Sequence, residues 1–135
     1  MSEIVRKTIL QIKEGLKKRE YSALDVTDAF ISASESNKKL NFYNTFTKEK
    51  ALEMARTSQS RIDSGEDKIL DGIPIAIKDL FCTEGTLTTA SSKILNNFIP
   101  NYESTVTQNL WDAGAIMLGK VGCDEFAMGS SNETS

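Results

Sequence analysis

The sequence predicts an α/β fold in which helices pack on a mixed β-sheet and N-terminal helices are followed by a β-α-β unit. Two short apolar runs, residues 73–77 and 115–118, are bounded by turn-forming or charged residues, which is typical of buried strands. A helical pattern beginning at Ser104 separates them, so the two strands are expected to be parallel, with a right-handed connection. The chain of 135 residues is expected to form one domain, without an internal repeat or a linker.

Two helices are predicted ahead of the first strand. Apolar residues recur at helical spacing between Ser2, a candidate N-cap, and Arg19, which lies in a basic cluster suited to a helix C-terminus. Ser22 and Asp25 form the capping box of the second helix, because each side chain can bind the backbone N–H of the other residue. Asn37 is a suitable residue to end this helix.

The next elements are a short strand, a helix and the first apolar strand. The alternation of Leu40, Phe42, Asn44 and Phe46 with their neighbours predicts the short strand. Thr47 is the expected N-cap of a third helix, which ends at Gly65. In the run 73–77, Pro74 has no N–H for a sheet ladder, so the strand must begin there or lie at an edge. The composition of the run favours burial on both faces.

The carboxyl end of this strand is the expected place for chemistry, as in other open α/β sheets. Lys78 lies there, and the loop 81–92 that follows contains a glycine, four threonines and a serine pair. A long polar loop of this kind in a small domain is often functional. Ser104 then caps a helix that Gly114 closes, and the second apolar strand follows directly.

Composition excludes several classes of function. The net charge is −3, so no general basic field attracts nucleic acid or a membrane surface. No apolar run approaches the ~18 residues of a membrane span, and the N-terminus does not resemble a signal peptide. Two cysteines are too few for a disulfide framework, which favours a cytoplasmic location. The absence of histidine excludes Ser-His-Asp, Cys-His and most zinc chemistry, and no metal site is predicted.

Three other patterns do not predict function. Residues 114–121 nearly match a phosphate-binding loop, but the strand lies between the two glycines, and Val121 cannot bind magnesium. The glycosylation pattern at 132–134 has no meaning without a secretory signal. Cys82 follows Lys78 closely, yet a packing role is favoured over a nucleophilic one because no histidine can activate it.

Lys78 admits two interpretations from the residues alone. A lysine that closes a strand and precedes Asp79 is commonly a solvated strand end. Alternatively, an apolar environment can lower the pKa of a lysine by up to ~3–5 units, which favours the neutral amine. A neutral lysine can act as a base toward a serine. Both interpretations remain open at this point.

The motifs around this lysine resemble those of the amidase signature family. Residues 71–79 resemble its lysine motif, and the further matching segments are 89–95, 106–110, 112–115, 119–120 and 124–131. The resemblance implies the fold of that family and a Ser–cis-Ser–Lys triad that hydrolyses amides. It also implies that Lys78 is the catalytic lysine, acting as a base through the bridging serine. The backbone around Ala127, Met128 and Gly129 is expected to line the substrate pocket.

Segment 124–131 is most similar to the tRNA-dependent amidotransferase branch of that family. The resemblance implies a heterotrimer with partner subunits of B and C type, in which the subunit that contains this chain releases ammonia from glutamine. The complex would convert Glu-tRNA(Gln) and Asp-tRNA(Asn), using ATP and magnesium through a partner subunit. This chain itself is expected to bind no cofactor and no membrane.

The chain departs from the family pattern in length. Family members are several-fold longer, and the glycine- and serine-rich signature with the bridging serine and the nucleophile is absent here. Residues 1–135 are therefore expected to be a single partial domain, the N-terminal segment of an amidase-signature domain, inactive alone. Residues 121–123 also differ from the residues common in the family after Lys120. Two alternatives remain: an amide hydrolase with another substrate, and a non-catalytic interaction module.

Overall fold

The computed structural model describes residues 2–135 and confirms a mixed α/β fold. Four α-helices and three strands lie in these residues. The helices are α1 (Ile9–Lys17), α2 (Ala23–Ser36), α3 (Lys48–Ser64) and α4 (Thr105–Asp112), and the strands are β1 (Tyr43–Phe46), β2 (Pro74–Lys78) and β3 (Ile116–Val121). In this part of the chain, no helix combines the length and the apolar character that crossing a bilayer requires.

The prediction of a single N-terminal helix between Ser2 and Arg19 is wrong. A 3₁₀ turn over Glu3–Arg6 comes first, and the backbone becomes extended at the next residue before α1 begins. Thr8 starts α1 because its hydroxyl accepts the N–H of Gln11, whose side chain in turn accepts the N–H of Thr8. This capping box satisfies two otherwise unpaired N–H groups, so the helix begins at this point in the sequence.

The second and third helices follow the sequence prediction closely. Ser22 and Asp25 form the predicted capping box, and Asn37 ends α2. Thr47 is the N-cap residue of α3, although its side chain makes no capping hydrogen bond. Gly65 ends α3 with a φ of 75°, a left-handed conformation that glycine adopts without steric cost.

The strand predicted over residues 40–46 is shorter than expected. Residues 38–40 form a 3₁₀ turn, and Asn41 follows in a left-handed conformation with a φ of 49°. Asparagine tolerates this conformation better than most residues. The strand therefore begins only at Tyr43, after the chain has turned.

The three strands form a mixed sheet in the order β1-β3-β2. β2 pairs in parallel with β3, as the β-α-β pattern predicts, whereas β1 pairs antiparallel with β3. Helices α2 and α3 cover one face of the central strand. The buried cluster at this interface consists of Ile31, Ala51, Ala55, Ile116 and Leu118. Each large aliphatic side chain buried here contributes about 1.5–3 kcal/mol to the free energy of unfolding.

The prediction that β2 is buried on both faces is wrong for residues 2–135, the part of the chain that the structure describes. β2 is an edge strand in which Ile77 is buried but Ala76 is exposed. Pro74 is its first residue, so the missing N–H interrupts no ladder, as predicted. β3 is longer than the predicted 115–118, because it continues through Gly119. A Cβ at Gly119 would lie 2.4 Å from the carbonyl oxygen of Thr45, so only glycine lets β1 approach.

An ion pair between a partly exposed arginine and a buried aspartate fixes the chain where it enters β2. Asp71 is fully buried, and its carboxylate accepts hydrogen bonds from the Nε and Nη2 atoms of Arg61 on α3. The backbone N–H of Lys68 donates to the same carboxylate at 2.7 Å. Burial raises the pKa of Asp71, but the hydrogen bonds from Arg61, Lys68 and Ser58 outweigh it and hold the pKa below its ordinary value of 3.8.

This lowered pKa predicts how stability depends on pH. The carboxylate of Asp71 contributes stability at pH values above its ordinary pKa, and this contribution is lost as the pH falls through the lower folded-state value. Replacing Arg61 by alanine is expected to lower the free energy of unfolding by about 3 kcal/mol at pH 7, because a buried carboxylate is left unpaired. Urea denaturation followed by the fluorescence of Trp111, the single tryptophan, measures this change.

The matched control is Arg56→Ala on the same helix, since Arg56 is exposed. Its free energy of unfolding should change by less than about 0.5 kcal/mol. The difference between Arg61→Ala and the wild type should shrink at acid pH, as the pH falls below 3.8, the ordinary pKa of Asp71, and through the lower folded-state value. An equal loss at both pH values would contradict the proposed role of the ion pair.

Candidate active site

Lys78 lies at the carboxyl end of β2, opposite Val121 at the end of β3. The ladder continues one residue further, because the N–H of Asp79 donates to the carbonyl of Val121 at 2.9 Å. The carbonyl of Lys78 accepts the N–H of Phe81 at 3.1 Å, which turns the chain out of the sheet. The backbone at Lys78 is fixed by these hydrogen bonds. Its side chain is exposed to solvent in this segment.

Asp79 does not belong to a solvated strand end, because it is fully buried. Its Oδ2 atom accepts the side-chain N–H of Asn44 at 2.8 Å and the hydroxyl of Thr89. Its two carboxylate oxygens also lie 3.2 Å from the backbone nitrogen of Thr89. The residue next to Lys78 therefore ties β2 to β1 and to the long polar loop.

The loop residues Ala90 and Ser91 both have positive φ angles, of 50° and 53°. Ala90 donates its N–H to the carbonyl of Asp79 at 2.8 Å. The hydroxyl of Ser91 accepts from the side chain of Asn44 at 2.9 Å and from the backbone N–H of Cys123 at 3.0 Å. Loop segment 89–91 is thus held between the ends of all three strands.

The predicted pocket residues Ala127, Met128 and Gly129 lie in and just after a 3₁₀ turn over residues 125–127. Met128 is 74% exposed, and Gly129 is exposed as well. The N–H of Phe126 donates to the carbonyl of Ala90 at 2.9 Å. The backbone of Ala90 therefore joins the turn that begins this segment to Asp79, the residue after Lys78.

A second lysine, Lys120, is the largest fully buried side chain in the described residues. Its Nζ atom donates to the carbonyl of Phe81, to the hydroxyl of Thr83 at 3.0 Å and to that of Thr88 at 3.1 Å. Burial lowers the pKa of Lys120, and the nearby carboxylate of Asp79 opposes this effect. The cation holds the first part of the polar loop against β3.

Sequence reasoning missed this role of Lys120, which it considered only as part of a nucleotide-binding pattern and of a segment that resembles the amidase signature family. That pattern is excluded by the structure as well, because β3 occupies the space between the two glycines. A usable signal was present: a lysine inside an apolar strand needs buried acceptors. The threonines of loop 81–92 are such acceptors.

Cys82 is half-buried, and its thiol lies 3.2 Å from the hydroxyl of Tyr102. This contact supplies no base, so the packing interpretation of Cys82 is still favoured. Within residues 2–135, no group of three or more histidine, cysteine or acidic side chains is arranged to hold a metal ion.

The group predicted for proton transfer, the amine of Lys78, belongs to an exposed side chain at a strand end that the polar loop holds in place. In the described part of the chain, none of the hydrogen bonds joins a serine hydroxyl to that amine. The role of Lys78 as a catalytic base stays a prediction.

Comparisons with known proteins agree with these motifs. The family model described as Amidase matches residues 25–135. Two curated relatives are named as the A subunit of glutamyl-tRNA(Gln) amidotransferase. The one from Hyphomonas neptunium is 55% identical over 135 residues, 100% of this chain and 28% of the relative. The one from Xanthobacter autotrophicus is 54% identical and is covered over 27% of its length. The chain thus spans somewhat more than a quarter of these relatives.

Solved structures show the same fold. One, described as a vestigial protein complex that reveals the evolutionary origins of an s-triazine catabolic enzyme, matches with a TM-score of 0.83 and 32% identity, over 89% of this chain and 27% of that one. The native peptide amidase from Stenotrophomonas maltophilia matches with a TM-score of 0.84 and 22% identity, over 92% of this chain and 26% of that one. At that identity, the second likeness supports the fold alone.

The three hydrogen bonds of Lys120 predict the effect of removing its charge. In Lys120→Met, the carbonyl of Phe81 and two threonine hydroxyls lose their donor. Each buried acceptor left without a partner costs about 1–3 kcal/mol, which outweighs the relief of burying a methionine instead of an ammonium. We expect a lower melting temperature and faster amide hydrogen exchange in residues 81–88.

The control is Lys39→Met, which removes a charge from an exposed lysine. Its melting temperature and its exchange rates should stay close to those of the wild type. If Lys120→Met melts at or above the wild-type temperature with unchanged exchange in the loop, Lys120 does not anchor the loop.

Proposed function

The chain belongs to the amidase family, and from this we propose that it is the N-terminal segment of the A subunit of a glutamyl-tRNA(Gln) amidotransferase. In this proposal, the segment contributes Lys78 to a Ser–cis-Ser–Lys triad that releases ammonia from glutamine. The two serines come from the remainder of the full-length protein. The segment alone is not expected to hydrolyse glutamine.

One observation carries the proposal: the chain matches amidotransferase A subunits along its whole length at 50–55% identity. The solved complex related to an s-triazine catabolic enzyme is only 32% identical, over 89% of the chain. This difference favours the amidotransferase over an amide hydrolase with another substrate. The location of Lys78 at the carboxyl end of a parallel strand supports a catalytic role over a purely interacting module.

The proposed role of Lys78 is that of a general base. A serine hydroxyl attacks the carboxamide carbon of glutamine, and its proton passes through the bridging serine to the amine of Lys78. The resulting ammonium returns the proton to the leaving group, so ammonia departs and a glutamyl ester remains on the serine. Water then releases glutamate by the same proton path in reverse.

The remaining parts of the proposal concern the whole enzyme. We infer that it is a cytoplasmic heterotrimer with B-type and C-type partner subunits, and that it also serves Asp-tRNA(Asn). ATP and magnesium would act through a partner subunit, with no cofactor held by residues 2–135. The relatives are themselves named as one subunit of an enzyme, which supports a complex with other subunits.

A chimeric subunit tests the role of Lys78. Residues 1–135 of this chain replace the matching segment of the Hyphomonas neptunium relative, and the chimeric protein is assembled with the partner subunits of that relative. Lys78→Ala should lower the rate of ammonia release from glutamine by about 10²–10⁴-fold, the usual loss for a general base. Lys78→Arg should fail to rescue the rate, because a guanidinium stays charged and cannot accept the proton.

Lys39→Ala is the matched control, since it removes an exposed lysine far along the chain from the strand end. Its rate should stay within about twofold of the parent chimeric subunit, as for most surface substitutions. Near-normal ammonia release by Lys78→Arg would mean that Lys78 has a structural role and that the proposed triad is wrong.

A further inference from the structure

We propose that Asp79 is a positioning residue that holds both Lys78 and the turn containing the predicted pocket residues 127–129. This inference rests on the proposed function, because it concerns the same site. It adds a residue whose side chain does not touch the substrate. Asp79 acts by joining the strand end to the polar loop and, through the loop, to the pocket wall.

The carboxylate of Asp79 has a fixed polar environment. It is fully buried, and in the described residues its hydrogen-bond donors are uncharged groups of Asn44, Thr89 and Ser91. A buried carboxylate is costly unless its oxygens are well hydrogen-bonded. The donors must therefore stay in place around Asp79, which makes their arrangement rigid.

The backbone of Asp79 is bonded on both sides of the residue. Its N–H donates to Val121 at 2.9 Å and its carbonyl accepts from Ala90 at 2.8 Å. Both polar groups of the main chain, together with the side chain, are thus engaged directly after Lys78. The direction in which Lys78 leaves the sheet depends on these bonds, since a free strand end would be able to twist.

A chain of hydrogen bonds leads from Asp79 to the pocket wall. The bonds to Asp79 hold Ala90 and Ser91 in their left-handed conformations, which non-glycine residues adopt rarely. Ala90 in turn accepts the N–H of Phe126, and Ser91 accepts the N–H of Cys123. A disturbance at Asp79 is therefore transmitted to the turn over residues 125–127 as well as to Lys78.

The contact between Asn44 and Asp79 permits a sharp test, because the two side chains have the same shape. Asn44→Asp places two carboxylates across a contact that measures 2.8 Å in the parent chain. Exchanging both residues, in Asn44→Asp with Asp79→Asn, restores one donor and one acceptor and keeps the same total charge. A recovery in the double variant therefore reports on this contact rather than on general damage.

The experiment uses the chimeric subunit in complex with its partner subunits and measures kcat and KM for glutamine. Asn44→Asp should lower kcat by about 10²-fold, since a displacement of about 1 Å has this effect. KM should rise as well, because the pocket wall shifts with the loop. The double exchange should recover kcat at least about tenfold. Asn97→Asp, which adds the same charge at an exposed site, should leave both constants within about twofold.

Two results overturn the inference. One is that Asn44→Asp lowers only the melting temperature and leaves kcat and KM within twofold of the parent. The other is that the double exchange recovers nothing while Asp79→Asn alone keeps kcat and KM within twofold of the parent. Lys78→Ala measured in parallel separates this inference from the proposed function. If Lys78→Ala stays active, the proposed function fails. If Lys78→Ala is inactive while Asn44→Asp is normal, only the role of Asp79 is rejected.

Discussion

The parallel pairing of β2 with β3 is the constraint on which the candidate site depends. It brings the carboxyl ends of both strands to one edge, so that Lys78 lies opposite Val121 and Asp79 extends the ladder by one bond. Helices α2 and α3 cover one face of β3 and make this pairing stable. The turn over residues 125–127 follows β3 within a few residues, and it is linked to the strand end through Ala90, which accepts the N–H of Phe126 and donates to the carbonyl of Asp79.

Two buried charges organise the long loop that the apolar core cannot organise. Loop 81–92 has few large apolar side chains, so hydrophobic burial contributes little to its order. Lys120 binds its first part through a carbonyl and two hydroxyls, and Asp79 binds its last part through Thr89 and Ala90. Each buried charge is costly unless it is well hydrogen-bonded, and this requirement specifies one conformation of the loop.

Much of the fold could be predicted from the sequence, because capping boxes, turn residues and apolar runs act locally. The start of α2 at Ser22 and the parallel β-α-β unit are examples. The break before α1 was missed because the continuing apolar pattern concealed the capping box at Thr8. The burial of Asp79 and Lys120 was also missed, since it depends on contacts between the strand ends and a loop that has no periodic pattern. The resemblance to the amidase signature family predicts that Lys78 is catalytic, whereas composition and spacing alone favoured a solvated strand end.

The central claim is that Lys78 serves ammonia release and not the fold of the protein. The most direct measurement is the ratio of glutamine-dependent to ammonia-dependent amidation of Glu-tRNA(Gln) by the whole enzyme containing the chimeric subunit with Lys78→Ala. Free ammonia bypasses glutamine hydrolysis, so we expect that ammonia-dependent amidation survives while the glutamine-dependent rate falls by about 10²-fold or more. An equal fall of both rates would show that Lys78 supports the structure of the complex, and it would contradict the claim.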